Sequence, residues 1–176
     1  MTTTIRPWAS TDLPLLLRAN TPAMTEYLGG PESDEAVRER HEKYLRFVEM
    51  DQAGIFAIEL DGMPVGGVNW WQSQWNGEDT LETGWFVIPE AQGRGVAAAG
   101  VASALDDARR RSERRRILAF PSVTNPASNR LCARLGFSRL GEEPFPYRGI
   151  TLQVAIWSLH LDEIVRPSPA LPPTRG

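Results

Sequence analysis

A glycine-bearing loop between an apolar run and a run of small residues constrains this fold most. The loop Pro89-Glu90-Ala91-Gln92-Gly93-Arg94-Gly95 follows the apolar stretch 83–88 and precedes a helical pattern of mostly small residues over 96–108. Backbone N–H groups at a helix N-terminus attract anions, and glycine lets the backbone approach a ligand closely. The segment therefore predicts a phosphate cradle, to which Arg94 could add a charged contact.

Two common phosphate-binding motifs fit this loop poorly. A Walker A loop would need Gly-Lys-Ser or Gly-Lys-Thr where this chain has Gly95-Val96-Ala97. A dinucleotide fingerprint is matched by Gly93-x-Gly95-x-x-Ala98, but the next strand ends without the acidic residue that would bind a ribose. A nicotinamide-dependent oxidoreductase is therefore disfavoured.

The pattern of the whole chain predicts one domain, residues 1–165, in the α/β (α+β) class. Its central sheet should be mixed, mostly antiparallel and about seven-stranded, with flanking helices. Helices are predicted from about Ser10, from Thr21-Pro22 and from Ser33 to about Asp51, then over 96–108 and 126–134. Strands are predicted over 3–6, 55–60, 64–71, 81–88, 117–120 and 151–161, with a hairpin at Asp61-Gly62 and a polar loop over 72–79. Residues 166–176 contain four prolines and are predicted to form a flexible tail.

Composition narrows the class of protein. A net charge of -3 and a pI near 5.5 give no general attraction to nucleic acid, and no apolar run is long enough for a membrane span. The first residues lack a signal-peptide pattern, so we expect a cytoplasmic protein. One cysteine and two histidines offer no zinc-site spacing, so we expect no metal.

Two segments together resemble the GNAT N-acetyltransferase superfamily. Segment 82–97 is similar to its acetyl-CoA motif, read as Gln92-x-x-Gly95-x-Ala97. Segment 125–137, from Asn125 to Gly136-Phe137, is similar to its later helix. The stretch Tyr27-Leu28-Gly29-Gly30-Pro31 and the pair Gly84-Trp85 resemble the branch of ribosomal-protein N-terminal acetyltransferases (RimJ/RimL-like).

This resemblance implies acetyl-CoA (coenzyme A) as the cofactor and a site for it. The strand before the loop would splay from its neighbour and pair with the pantetheine arm through Phe86, Val87 and Ile88. The pyrophosphate would lie on Gln92, Gly93, Arg94, Gly95, Val96 and Ala97. Asn125 would contact the cofactor arm, Ser128 would lie beside it, and Arg130 could reach the nucleotide end.

The chemistry implied by the resemblance is direct transfer of acetyl to an amine, which needs a base, a donor for the carbonyl oxygen and an acid. Glu82 is the candidate base, because strand alternation places it with Gly84 and Phe86 on one face; the alternative is a solvent-facing carboxylate. A backbone N–H near Val87 could be the donor. Cys132 stands where many members have a tyrosine, so Ser128 or Cys132 could be the acid.

For several other residues, a structural role is an alternative to a functional one. Cys132 is favoured as a packing residue over a covalent nucleophile, and His41 and His160 are favoured as structural. Six arginines between Arg109 and Arg116 mark either a solvated helix end or an acidic partner site. Trp70, Trp71 and Trp75 are either packing residues or the lining of an acceptor pocket.

The sequence thus favours an acetyl-CoA-dependent N-acetyltransferase acting on a primary amine in a ternary complex. The acceptor, a protein N-terminus or a small-molecule amine, is left open, and the protein could be a monomer or a homodimer. A catalytically weak acyl-CoA-binding module is the alternative, since the tyrosine is missing.

Overall fold

One seven-stranded sheet with strand order β1-β2-β3-β4-β5-β7-β6 organises the chain. The computed structural model describes residues 1–50 and 52–164. The strands are β1 (Thr3–Pro7), β2 (Ala53–Leu60), β3 (Met63–Trp75), β4 (Glu78–Val87), β5 (Arg116–Ala119), β6 (Ser138–Tyr147) and β7 (Ile150–His160). All neighbours are antiparallel except β4 and β5, which confirms the predicted mixed, mostly antiparallel sheet.

Helices cover both faces of this sheet. They are α1 (Leu13–Ala19), α2 (Pro22–Thr25), α3 (Asp34–Val48), α4 (Val96–Arg111) and α5 (Pro126–Arg134). The predicted caps are confirmed: Thr21 Oγ1 accepts from Met24 N at 3.3 Å, and Ser33 Oγ accepts from Ala36 N at 3.2 Å. Helix α3 ends at Val48, a few residues before the predicted end near Asp51.

The small residues of α4 let it lie close to the sheet. It packs against β1, β2 and β3, and a Cβ placed on Gly100 would lie 2.6 Å from Ile58 Cδ1. Trp70 points to this side, where its Nε1 donates to Asp107 Oδ2 of α4 at 2.9 Å. Helices α1 and α3 contact β3 and β2 on the opposite side, so the alternate residues of β3 and β4 face them.

The predicted polar loop over 72–79 is wrong, because β3 and β4 run on to a two-residue turn. Trp75 pairs with Glu78 across Asn76-Gly77, where both residues have positive φ, 51° and 79°. Such a turn favours Asn-Gly because both central residues need positive φ. The same arrangement joins β2 to β3 at Asp61-Gly62, as predicted, and β6 to β7 at Arg148-Gly149.

Two further expectations concern the C-terminal tail and membrane spans. The proline-rich tail, 166–176, lies outside the described residues. Within the described residues, no helix combines the length and apolar character needed to cross a membrane.

Candidate active site

A cleft opens where β4 and β5 diverge. Strand β4 pairs with β3 at ten positions, from Glu78 to Val87, but with β5 only at Leu81 and Glu82. Beyond Glu82 the edge of β4 that faces β5 is therefore unpaired. The cleft there has a volume of about 900 Å³, and its walls come from the α1–α2 region, α3, β3 to β7, the glycine loop and α5.

Val87 directs its main chain toward this open edge. Its carbonyl oxygen accepts a 2.8 Å hydrogen bond from Gln92 Nε2, whereas the next residue, Ile88, donates its N–H to Val65 O at 2.9 Å. In an antiparallel strand both main-chain polar groups of a residue point to the same side. The N–H of Val87, and by the period of two that of Trp85, therefore faces the cleft.

Ile88 was predicted to pair with the pantetheine arm, but the structure places it elsewhere. Its N–H is bound to β3, its side chain is buried in the core, and it does not line the cleft. Phe86 lines the cleft with its side chain, whereas its main chain pairs with Gly67. The sequence analysis did not include Trp85. The two-residue alternation of a strand places the N–H of Trp85 at the same open edge as that of Val87.

The glycine loop presents free main-chain donors to the cleft. Gly93 and Gly95 have φ of 72° and 78°, a region that L side chains rarely adopt, and Gly95 is the N-cap of α4. The first helical hydrogen bond runs from Ala99 N to Gly95 O at 3.0 Å, and within the described residues the N–H groups from Gly93 to Ala98 have no protein acceptor. Arg94 is exposed and lies outside the lining of the cleft.

Helix α5 supplies the opposite wall. Asn125 is its N-cap, and Asn125 Oδ1 accepts from Ser128 N at 3.1 Å. Asn125, Ser128 and Arg130 all line the cleft, as does Arg134 one turn further on. The cap fixes the first turn of α5, which carries Ser128.

Glu82 lies half-buried in the cleft, where β4 and β5 part. Burial raises the pKa of Glu82 to about 7, because a desolvated carboxylate is disfavoured, and the Ser73 hydroxyl 3.4 Å from Oε2 opposes this shift only partly. The alternative of a fully solvent-facing carboxylate does not fit this burial. A carboxyl that titrates near neutral pH can exchange protons with an amine.

Cys132 requires a correction. It lies on α5 with no exposed surface, packed in the hydrophobic core and outside the lining of the cleft. Burial also raises the pKa of its thiol to about 12. The placement rules out proton donation to the cleft by Cys132 and agrees with the packing interpretation, so Ser128 is the remaining candidate acid.

The cleft is also lined by residues that the sequence did not connect. Trp71 and Asn69 come from β3, and Arg40 and Tyr44 from α3. The end of the β6–β7 hairpin and the segment before α3 add Tyr147, Arg148 and Glu32. Trp71 is the only one of the three predicted tryptophans in this lining; Trp70 is buried beside α4, and Trp75 lies near the distal turn.

The arginines at the end of α4 have intramolecular partners. Arg109 pairs with Asp106, Arg110 and Arg111 with Asp107, Arg114 with Asp79, Arg115 with Asp162 and Arg116 with Glu78. An external acidic partner is therefore not needed to balance them. His41 is buried, as expected of a structural residue, and its Nδ1 accepts from Trp8 Nε1 at 3.0 Å.

This fold and cleft agree with a family comparison. The model of the acetyltransferase (GNAT) domain matches residues 3–138. The chain therefore belongs to the GNAT acetyltransferase family. A comparison with curated protein sequences found no significant match.

Solved structures share the fold at low sequence identity. yncA from Salmonella typhimurium, solved with its cofactor acetyl-CoA, is 23% identical, with a TM-score of 0.74 over 99% of this chain and 100% of that chain. The Salmonella typhimurium acetyltransferase that modifies the N-terminal serine of ribosomal protein L7/L12 is 18% identical, with a TM-score of 0.74 over 91% and 95%. Mycobacterium smegmatis RimJ, solved with CoA-disulfide, is 19% identical, with a TM-score of 0.77 over 93% and 84%.

Proposed function

We propose that this protein is an acetyl-CoA-dependent N-acetyltransferase that acts on a primary amine by direct attack in a ternary complex. The observation that carries the proposal is the position of Glu82, a carboxyl with a pKa of about 7, where β4 and β5 part. The same cleft holds the free N–H groups of the glycine loop. One cleft thus offers a base and an anion site.

The residues present fit coenzyme A. Its pyrophosphate needs converging N–H donors, and the main chain from Gly93 to Ala98 has them at the positive end of α4. Apart from the adjoining residues, no heavy atom of the described chain lies within 4 Å of a Cβ built on Gly93 or Gly95, so a ligand can reach this backbone. The open edge at Trp85 and Val87 suits an amide-bearing arm, and Arg130 and Arg134 line the α5 wall. When bound, acetyl-CoA supplies the activated acetyl group.

The side chains and main chain of the cleft have separate roles in this proposal. Glu82 removes a proton from the acceptor ammonium, directly or through water, because unperturbed amines are mostly protonated at neutral pH. The Val87 N–H donates to the acetyl oxygen as negative charge develops. The Ser128 hydroxyl would relay the second proton of the attacking nitrogen to the leaving thiolate, so that coenzyme A departs as the thiol and the serine is not left ionised. Gln92 keeps the loop against the end of β4 through its bond to Val87 O.

A second candidate is a catalytically weak acyl-CoA-binding module. The burial of Cys132 favours it, because the position where many members have a tyrosine offers no proton to the cleft. The two candidates predict the same cofactor binding and differ only in turnover.

A thiol-release assay with acetyl-CoA separates these candidates. The acceptor panel should contain free amino acids, polyamines, aminoglycosides and peptides with free N-termini. Thiol release that depends on an amine supports the transferase. Binding of coenzyme A, followed by thermal shift, without thiol release on any amine supports the binding module. Stabilisation by NAD and not by coenzyme A would contradict both.

A further inference from the structure

An incompletely bonded arginine pair lies at the end of the cleft formed by α3 and the β6–β7 turn. Arg40 of α3 and Arg148 of the turn both line the cleft and both form ion pairs with Glu32, which lies between them. The Arg148 Nη2 to Glu32 Oε2 distance is 3.0 Å. Two cations on one anion leave a surplus positive charge at this position.

The two ion pairs are close contacts that lack ideal hydrogen-bond geometry. Among the described residues, Glu32 Oε2 and Arg40 Nε are buried yet have no partner with hydrogen-bond geometry. The side chains are largely withdrawn from water, with exposures of 12% for Glu32, 27% for Arg40 and 25% for Arg148. Both guanidinium groups line the cleft, so an anion that enters it can accept from the Nη donors that Glu32 does not use.

The conformation of the turn also distinguishes Arg148. The other two-residue hairpin turns place Asp61 or Asn76 at the first position, where φ is positive, and these residue types tolerate that region. Arg148 adopts a φ of 50° there although it has no such preference. Its guanidinium lies 4.6 Å from the ring centroid of Tyr147 and pairs with Glu32, so the turn directs this side chain into the cleft.

Besides Arg130 and Arg134 on the α5 wall, the charged side chains that line the cleft are Glu26, Glu32, Arg40, Glu82 and Arg148. Glu82 lies where β4 and β5 part, and Arg40 and Arg148 line the end formed by α3 and the β6–β7 turn. Aromatic side chains of Tyr44 and Tyr147 also line this end, whereas Trp71 lies opposite Glu82 on β3. An acceptor with an ammonium for Glu82 and an anion for the arginines matches this order. A polyamine or aminoglycoside would instead bring cations against two arginines.

We propose that Arg40 and Arg148 select an acceptor whose amine is accompanied by a carboxylate, with a free amino acid as the simplest substrate of this class. The inference rests on the proposed N-acetyltransferase function and specifies its acceptor. A guanidinium binds a carboxylate through two parallel N–H donors, which a peptide carbonyl cannot match in charge.

The test compares acceptors that share a side chain and differ in the carboxylate. Thiol release from acetyl-CoA is measured with the twenty common L-amino acids. The best of them is then compared with its carboxamide, its decarboxylated amine and a C-terminally amidated peptide that begins with the same residue. We expect kcat/KM for the amino acid to be higher by about tenfold or more. Equal or faster turnover of the carboxamide, the amine or the peptide would overturn the inference alone. Absence of thiol release with every amine would overturn the proposed function and this inference with it.

Variants test the arginines themselves. Arg40→Gln and Arg148→Gln should lower kcat/KM for the amino acid by about tenfold or more and leave the carboxamide little changed, and Arg148→Lys should recover part of the loss. Arg38→Gln is the matched control, because Arg38 is exposed on α3 and lies outside the cleft lining. A parallel fall for amino acid and carboxamide would overturn the assignment. Thermal denaturation of each variant identifies loss of folding, and the ratio of the two acceptors remains decisive for a partly destabilised variant.

Discussion

Gln92 Nε2 donates a 2.8 Å hydrogen bond to the carbonyl oxygen of Val87 and thereby joins the glycine loop to the end of β4. Two parts of the proposed cofactor site, the loop donors and the open strand edge, are held in one geometry by this bond. A preorganised site loses less freedom when a ligand binds.

Gln92→Ala should therefore weaken cofactor binding. A neutral hydrogen bond contributes about 0.5–1.5 kcal/mol, so KM for acetyl-CoA should rise about 2- to 12-fold with a smaller change in kcat. Steady-state kinetics with varied acetyl-CoA measure this. Gln74→Ala is the control, because it removes an exposed 3.0 Å bond to Asp79 far from the cleft. The same KM in both variants would remove Gln92 from the cofactor site.

Glu82 should give the reaction a pH dependence near neutrality. Its pKa is raised to about 7, and a base must be deprotonated to act, so kcat/KM should fall about tenfold per unit as pH decreases below about 7. Glu82→Gln should lower kcat/KM by about 10²–10⁴-fold at pH 7. Its remaining activity should rise with pH toward the pKa of the acceptor amine.

Glu78→Gln is the matched control for Glu82. Glu78 lies on the same strand and the same side-chain face, but it is exposed and pairs with Arg116 at 2.7 Å. It should keep both the rate and the pH profile of the unaltered protein. A Glu82→Gln profile that keeps a break near pH 7, in place of a continuous rise toward the pKa of the acceptor amine, would assign the titration to another group.

Gly95 should be needed for both folding and cofactor binding. Its φ of 78° costs an L residue about 1–2 kcal/mol, which corresponds to a decrease in Tm of about 2–8 °C for a chain of this size. Gly95→Ala should also raise KM for acetyl-CoA, because a Cβ would stand among the free N–H groups. Gly141→Ala is the control: it too has open space at the Cβ position but no positive φ. Equal Tm losses in the two variants would contradict the conformational argument.

The sequence predicted the conformation of the glycine loop and of the first turn of α5 better than the walls formed by α3 and the β6–β7 turn, for a physical reason. The glycine loop and the cap at Asn125 are local, since a few adjacent residues determine them. Whether Trp85 or Ile88 lies at the open edge depends on which residues of β4 form hydrogen bonds with β3. The apolar character of the segment alone does not predict this register. The missed turn at Asn76-Gly77 was a local signal that could have been recognised.

The cluster of Arg40, Arg148 and Glu32 could not be predicted from local patterns. Arg40 and Arg148 are far apart in sequence and meet Glu32 only because the β6–β7 hairpin reaches the segment before α3. For Cys132, the position in the motif suggested a site residue. The structure instead directs its side chain into the hydrophobic core. Side-chain direction on a short helix depends on which face packs, and only the tertiary structure determines that.

Ser128 and Cys132, one turn apart on α5, give a direct comparison of candidate acids. Ser128→Ala removes the hydroxyl and keeps the helix cap, because Asn125 Oδ1 accepts from the main-chain N–H of residue 128. Its kcat should fall by about 10²-fold if the hydroxyl donates the proton. Cys132→Ala should leave kcat within about twofold and lower the free energy of unfolding by about 1 kcal/mol, since it only removes buried packing. A thiol reagent should modify native Cys132 slowly and the unfolded chain quickly. A loss of kcat in Cys132→Ala at unchanged cofactor binding, with Ser128→Ala fully active, would reverse the two roles.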